Sequence, residues 1–262
     1  MNDYAGFAQA RECFREYAAS LAEKAPYLAK VQQTLVDADY GGKYTVERPV
    51  VYNDSLDAVT AADEVKIILV GDNPGRREQE TGRYLIGPSG KLAENFFRDR
   101  PALGIDFRKN VLILNKTPVH TPRTADLKKL AGLCGTGSER ESVASLIRDS
   151  QRGMVSLLGQ FYAALRPVKI WVVGYSEMKK GGLFAEYTKA LFETLPAGAV
   201  YLYRHFSMNQ FLIDFNGKAR QFPVPAPGEL AGENGEWEVL RAIGEHYRER
   251  IRQGFAAAPS RG

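Results

Sequence analysis

Four short apolar runs punctuate the chain: Val65-Lys66-Ile67-Ile68-Leu69-Val70, Val111-Leu112-Ile113-Leu114, Ile170-Trp171-Val172-Val173 and Val200-Tyr201-Leu202-Tyr203. Runs of this kind, lacking strict polar alternation, predict strands buried on both faces, as in parallel sheets. Between them apolar residues fall at helical spacing, over Lys91 to about Arg98, Ser142 to Leu165 and Phe184 to Leu195. The repeated alternation of strand and helix predicts a three-layer α/β/α sandwich with a mostly parallel four-stranded central sheet. Upstream, Phe7, Ala10, Cys13, Phe14, Tyr17 and Leu21 predict one or two amphipathic helices over residues 3–37. Residues 38–62, with Gly41-Gly42 and Pro49, read as a connection containing a short extended piece. A last helix is predicted from Glu236 to Ile251, and a frayed tail from about 255 to 262. The expected organisation is a single domain over 1–262 with a helical extension at about 1–60.

In open α/β sheets ligands bind beyond the carboxyl ends of the strands. Those ends carry Asp72 and Asn73, then Asn115 and Lys116, then Gly174 and Tyr175, then Arg204 and His205. In Gly71-Asp72-Asn73-Pro74-Gly75, Asp72 can act on a water as a base and Asn73 through its carbonyl oxygen. The same residues also make an ordinary turn. Ser89, within Gly82-Arg83-Tyr84-Leu85-Ile86-Gly87-Pro88-Ser89-Gly90, is placed to cap a helix whose exposed amides suit a phosphate. A simple capped helix is the better reading of this segment taken alone. Asn115 can donate and accept at once, as a uracil edge requires, or satisfy turn backbone. His205 can donate to an anion forming on a departing base, or serve structure alone.

Composition narrows the classes only a little. The 262 residues are 44% hydrophobic, enough for a sizeable core, and the net charge of +4 permits an anionic partner without demanding one. Two cysteines, Cys13 and Cys134, exclude a disulfide framework and a four-cysteine metal cluster. Nothing resembles a signal peptide or a membrane-spanning run, so a cytoplasmic protein is expected. Basic residues near the strand ends, among them Arg76, Arg77, Lys116 and Arg204, are candidates for phosphate contacts.

The order of the motifs says more than any one of them. Gly-x-Asn-Pro-Gly, then Gly-Arg-x-x-x-Gly-x-x-Gly, then a strand ending in Asn, then one ending in His-x-Ser resembles the uracil-DNA glycosylase superfamily, from about Val65 to Gln210. The resemblance is nearest to the Gly-x-Asn-Pro-Gly types, outside the iron–sulfur branches. It implies a monofunctional glycosylase that flips uracil or a related damaged base out of DNA and hydrolyses its N-glycosidic bond. Asn73, or Asp72, then positions the water, and His205 stabilises the leaving base. Gly71, Asn115 and Ser207 complete the pocket. A stacking Phe is usual where Leu85 stands, so its neighbour Tyr84 is the expected wall. Ser89, Lys116, Met208 and Asn209 are the expected DNA contacts, Asn209 standing where an apolar wedge is usual. Phe206 replaces the Pro of His-Pro-Ser. The scheme calls for no cofactor and no metal, and for a monomer acting on single- or double-stranded DNA. Two alternatives stay open: a protein of this fold that binds DNA or a nucleotide without cleaving, and a small-molecule α/β hydrolase.

Overall fold

In the computed structural model, which describes residues 3–217 and 235–256, the four apolar runs form β1 (Ile67–Gly71), β2 (Val111–Asn115), β3 (Lys169–Val173) and β4 (Val200–Tyr203). They make one sheet in the order β2-β1-β3-β4, with every pairing parallel. Every residue of β1 and β2 is buried, which is why their sequences show no polar alternation. The chain steps from β1 to β2 on one side and returns to β3 on the other. This reversal opens a crevice at the carboxyl end of β1.

Helices flank the sheet as an α/β/α sandwich. In chain order they are α1 (Tyr4–Lys24), α2 (Leu28–Tyr40), α3 (Arg76–Thr81), α4 (Pro88–Arg98), α5 (Phe107–Asn110), α6 (Leu127–Leu130), α7 (Gly137–Leu165), α8 (Ala185–Thr194), α9 (Gln210–Phe215) and α10 (Gly235–Ala256). Trp171 of β3 packs against Phe97 of α4, Tyr203 of β4 and Phe211 of α9, with ring centroids 5.7, 5.0 and 6.0 Å away. Phe7 of α1 meets Phe161 of α7 at 5.6 Å. Among the described residues no helix is long and apolar enough to cross a membrane.

Several boundaries differ from the apolar spacing for local reasons. The α7 helix starts at Gly137, upstream of Ser142, because Thr136 and Glu139 cap each other's backbone N–H groups. Ser89 is not the cap of α4. Gly87 holds that place and Pro88 opens the helix, a position that needs no N–H donor. The last helix runs on to Ala256. Of the expected frayed tail, residues 257–262 lie outside the described residues.

The connection at 38–62 holds a short 3-10 turn, Asp54–Ala58, and one antiparallel bridge, Val50 to Val119. With α2 it braces the segment after β2. Gln32 Nε2 donates to the carbonyls of Pro49 and His120 at 2.9 and 2.8 Å. Asn53 Nδ2 donates to Ile113 O at 2.8 Å.

Candidate active site

Register builds the first part of the site. The β1–β2 pairing sets Gly71 beside Asn115. A Cβ on residue 71 would stand 2.5 Å from Asn115 Oδ1, so only glycine leaves room for that amide. Asn115 is 3% exposed, and its Nδ2 is buried with no hydrogen-bond partner among the described residues. An unpaired buried donor costs about 1–3 kcal/mol. This one lies in the wall of a cavity, where it can donate to an acceptor.

The cavity has a volume of about 340 Å³, within the usual range for a small-ligand site. Asp72, Asn73, Glu78, Leu85, Ser89, Asn115, Thr124 and His205 are among its lining, as are Arg76 and Arg77. A larger hollow, of about 500 Å³, lies toward the amino ends of β1 and β3 beside Lys66 and Lys169. It holds none of the strand-end groups, so the smaller cavity is the candidate site.

Asn73 is clamped from one side. Its Nδ2 donates to Thr121 Oγ1 at 2.8 Å and approaches the carbonyls of Pro74 and Val119 at 3.3 and 3.4 Å. Carbonyls only accept, so the amide NH2 must face them. The Asn73 carbonyl oxygen then receives no hydrogen bond among the described residues. The turn itself is held by His120, whose Nδ1 donates to Pro74 O at 2.9 Å while its Nε2 accepts from the Tyr44 hydroxyl at 3.0 Å.

Burial pushes the His120 pKa down to about 4 from an ordinary 6.5, so the ring is neutral and the second hydrogen bond runs from the Tyr44 hydroxyl to Nε2. The depressed value means the folded state favours the neutral form. The resulting stability is present above about pH 6.5 and is lost as pH falls toward 4, a total of about 3 kcal/mol. Denaturant unfolding of the wild type and of His120→Gln between pH 7 and 4 checks this. The variant's stability should fall less by roughly that amount, and parallel pH curves would contradict it.

His205 follows β4. Its Nδ1 accepts from the Ser207 backbone N–H at 3.0 Å and lies 2.9 Å from Ser207 Oγ. A backbone amide cannot accept, so Nδ1 is unprotonated and the neutral ring carries its proton on Nε2. Burial lowers the His205 pKa, Asp72 raises it and Lys116 lowers it further. A neutral donor at the cavity wall is the result. Phe206 is buried and stacks on Phe211 at 4.3 Å, anchoring the loop in place of a proline. Beyond it Met208 and Asn209 both take left-handed backbone, φ +52° and +54°, and Met208 projects with 80% exposure.

Three sequence expectations need correction. Tyr84 does not reach the cavity. It is 1% exposed, and its hydroxyl donates to Val51 O at 2.5 Å. Leu85 forms the wall, with a left-handed φ of +53°. No Phe, Tyr or Trp lines the cavity among the described residues. Lys116 is no surface contact either. It is fully buried and pairs with Asp72 Oδ1 at 2.5 Å. Burial lowers its pKa, and the Asp72 carboxylate opposes that shift. Arg204, another basic candidate, is tied to Asp214 by two hydrogen bonds of 2.7 and 2.5 Å.

The sequence reading missed Glu78. Its carboxylate accepts from the N–H groups of Gly75 at 2.7 Å and Leu85 at 2.5 Å, joining the Gly71–Gly75 turn to the cavity wall. Burial raises its pKa despite these amides. An acidic residue three positions after the turn was the available signal. Thr121, His120 and Thr124 were also missed, their sequence context giving only turn chemistry.

A family model described as the uracil DNA glycosylase superfamily matches residues 59–227, well over half of the chain. No curated protein matches it.

Proposed function

This chain belongs to the uracil DNA glycosylase superfamily, and from that premise we propose that it hydrolyses the N-glycosidic bond of uracil, or a closely related damaged base, in DNA. The superfamily consists in general of glycosylase hydrolases that act on DNA. The finer reading rests above all on the buried, unpartnered Asn115 Nδ2 in the wall of the strand-end cavity.

Flipping the base costs a few kcal/mol in duplex, and less from a single strand. Asn115 Nδ2 then donates to a base carbonyl, and its Oδ1 accepts the adjacent ring N–H. His205, through Nε2–H, donates to the base oxygen on which negative charge grows. The Asn73 carbonyl oxygen positions the water, since Lys116 and, at 3.4 Å, the Thr124 hydroxyl already engage the Asp72 carboxylate. The C1′–N bond breaks with its electron pair going to the base. The water's hydroxyl ends on C1′ and its proton on the base.

Arg76, Arg77 and the start of α4 at Ser89 meet the DNA phosphates, with affinity falling as salt rises. Met208 enters the space left by the flipped base, with Asn209 shaping the loop tip. Gly71 keeps the floor open, Leu85 packs on the base, and Ser207 holds the His205 tautomer. The enzyme works as a cytoplasmic monomer, its described residues acting as one domain in which the helical extension, α1 and α2, braces the site.

A uracil-containing oligonucleotide, incubated with the protein and then treated with hot alkali, tests the reading. Strand scission is expected, and Asn115→Ala should slow it about a hundred-fold, the effect of losing one well-placed hydrogen-bonding group. The aromatic-free wall favours one rival, a protein that binds without cleaving. Binding with no scission would establish that rival.

A further inference from the structure

The carboxyl ends of three strands close around one ammonium. Lys116 Nζ donates to Asp72 Oδ1 at 2.5 Å after β1, to Val173 O at 2.6 Å at the end of β3, and more weakly to Gly71 O at 3.4 Å. The Phe184 ring lies beside it, its centre 4.8 Å from Nζ, and the Glu177 carboxylate also favours the charged form. Gly174, at φ +82°, makes room for the pair, because a Cβ there would lie 2.4 Å from Asp72 Oδ1. Lys116 does not line the cavity, but Asp72 does, opposite His205 and Asn115.

Stability alone gives a weak reason for such a pair. Replacing a buried ion pair by apolar side chains of similar volume is often neutral or favourable. The pair's consequence lies in the field it sets. An unbalanced Asp72 carboxylate would oppose negative charge forming on a base in the same cavity. We propose that Lys116 is a positioning residue for base excision: acting through Asp72, it keeps the cavity floor electrically neutral, so that charge on the leaving base meets the His205 N–H without an unbalanced carboxylate beside it. This inference rests on the glycosylase reading above.

The charged groups around His205 come from several elements. Asp72 follows β1 and Lys116 follows β2, while Glu78, Arg76 and Arg77 of α3 share the cavity. On its own loop Arg204 is neutralised by Asp214. Asp72 and Lys116 are the two whose charges act on the His205 ring, in opposite directions.

Four proteins decide the matter: wild type, Lys116→Met, Asp72→Asn and the double variant. Single-turnover excision and the nitrogen-15 titration of the His205 ring are measured on each. Lys116→Met should excise about thirty-fold more slowly than wild type, the effect of one unbalanced charge nearby. The double variant should be faster than Lys116→Met and within a few-fold of Asp72→Asn. The His205 midpoint should rise in Lys116→Met, fall in Asp72→Asn and return close to wild type in the double variant. A purely structural lysine predicts the reverse order of rates and an unmoved midpoint, and either result overturns the proposal. If Lys116→Met does not fold, the double variant is compared with Asp72→Asn alone, and a further large loss overturns the proposal. If the wild type excises no base, the glycosylase reading fails separately, and the His205 midpoints still decide whether the two charges act on that ring.

Discussion

Asn73→Ala is expected to lower the single-turnover rate of base excision about a thousand-fold, the loss typical of a group that positions a reacting water. The expectation follows from the one-sided clamp on this amide. Thr121 Oγ1 and the Pro74 and Val119 carbonyls take its NH2, which leaves the carbonyl oxygen to face the cavity. Alanine removes that acceptor and little else. The folded state loses mainly one good hydrogen bond, worth about 1 kcal/mol. Melting temperature should therefore change by only a few degrees while excision collapses. Asp72→Asn is the control, since the Asp72 carboxylate is already engaged by Lys116. Its loss should be about tenfold or less, the mark of an indirect group. A larger loss at Asp72 than at Asn73 would assign the water to the carboxylate.

Gly90→Ala is expected to destabilise the protein by about 3 kcal/mol, the upper end of what overpacking costs. Alanine normally favours a helix over glycine, so the sign is opposite to the usual one. A Cβ on residue 90 would lie 1.7 Å from Leu85 O and 2.4 Å from Leu85 C. Both are backbone atoms, and neither can swing aside. Leu85 is already left-handed, its N–H is fixed by Glu78 and its carbonyl meets Arg108 at 3.3 Å. To admit the methyl group, the cavity wall must move. Denaturant unfolding measures the loss, and excision should fall in the protein that remains folded. An unchanged unfolding midpoint would show that the Leu85 wall is soft and does not shape the pocket.

The parallel sheet was legible because burial on both faces removes polar alternation and leaves bare apolar runs. Site position was legible for a related reason. Ligand groups gather at strand ends, and Asn73, Asn115 and His205 follow three of those ends in the expected order. What lay hidden depends on partners distant in sequence. A lysine reads as exposed from sequence alone, yet Lys116 is buried because the β1–β2 register sets it beside Asp72. The exchange of Tyr84 for Leu85 at the wall turns on a left-handed residue held by a buried glutamate. No local pattern announces that geometry. The start of α7 was misplaced at Ser142 because the apolar spacing was followed and the Thr136–Glu139 cap was not.

Hydrolysis, in this cavity, of the bond between a damaged base and its sugar leaves an oxygen from water on the sugar. Incubation of a uracil-containing oligonucleotide in water enriched in oxygen-18, followed by mass measurement of both products, locates that oxygen. Free uracil without the heavy oxygen is expected, with an abasic strand carrying one such atom at C1′, and both products should form about a thousand-fold more slowly with Asn73→Ala. A fresh abasic strand is examined, and one exposed to heavy water only after excision corrects for exchange at C1′. Intact oligonucleotide after prolonged incubation, or an abasic strand labelled no more than that control, would contradict hydrolysis in this cavity.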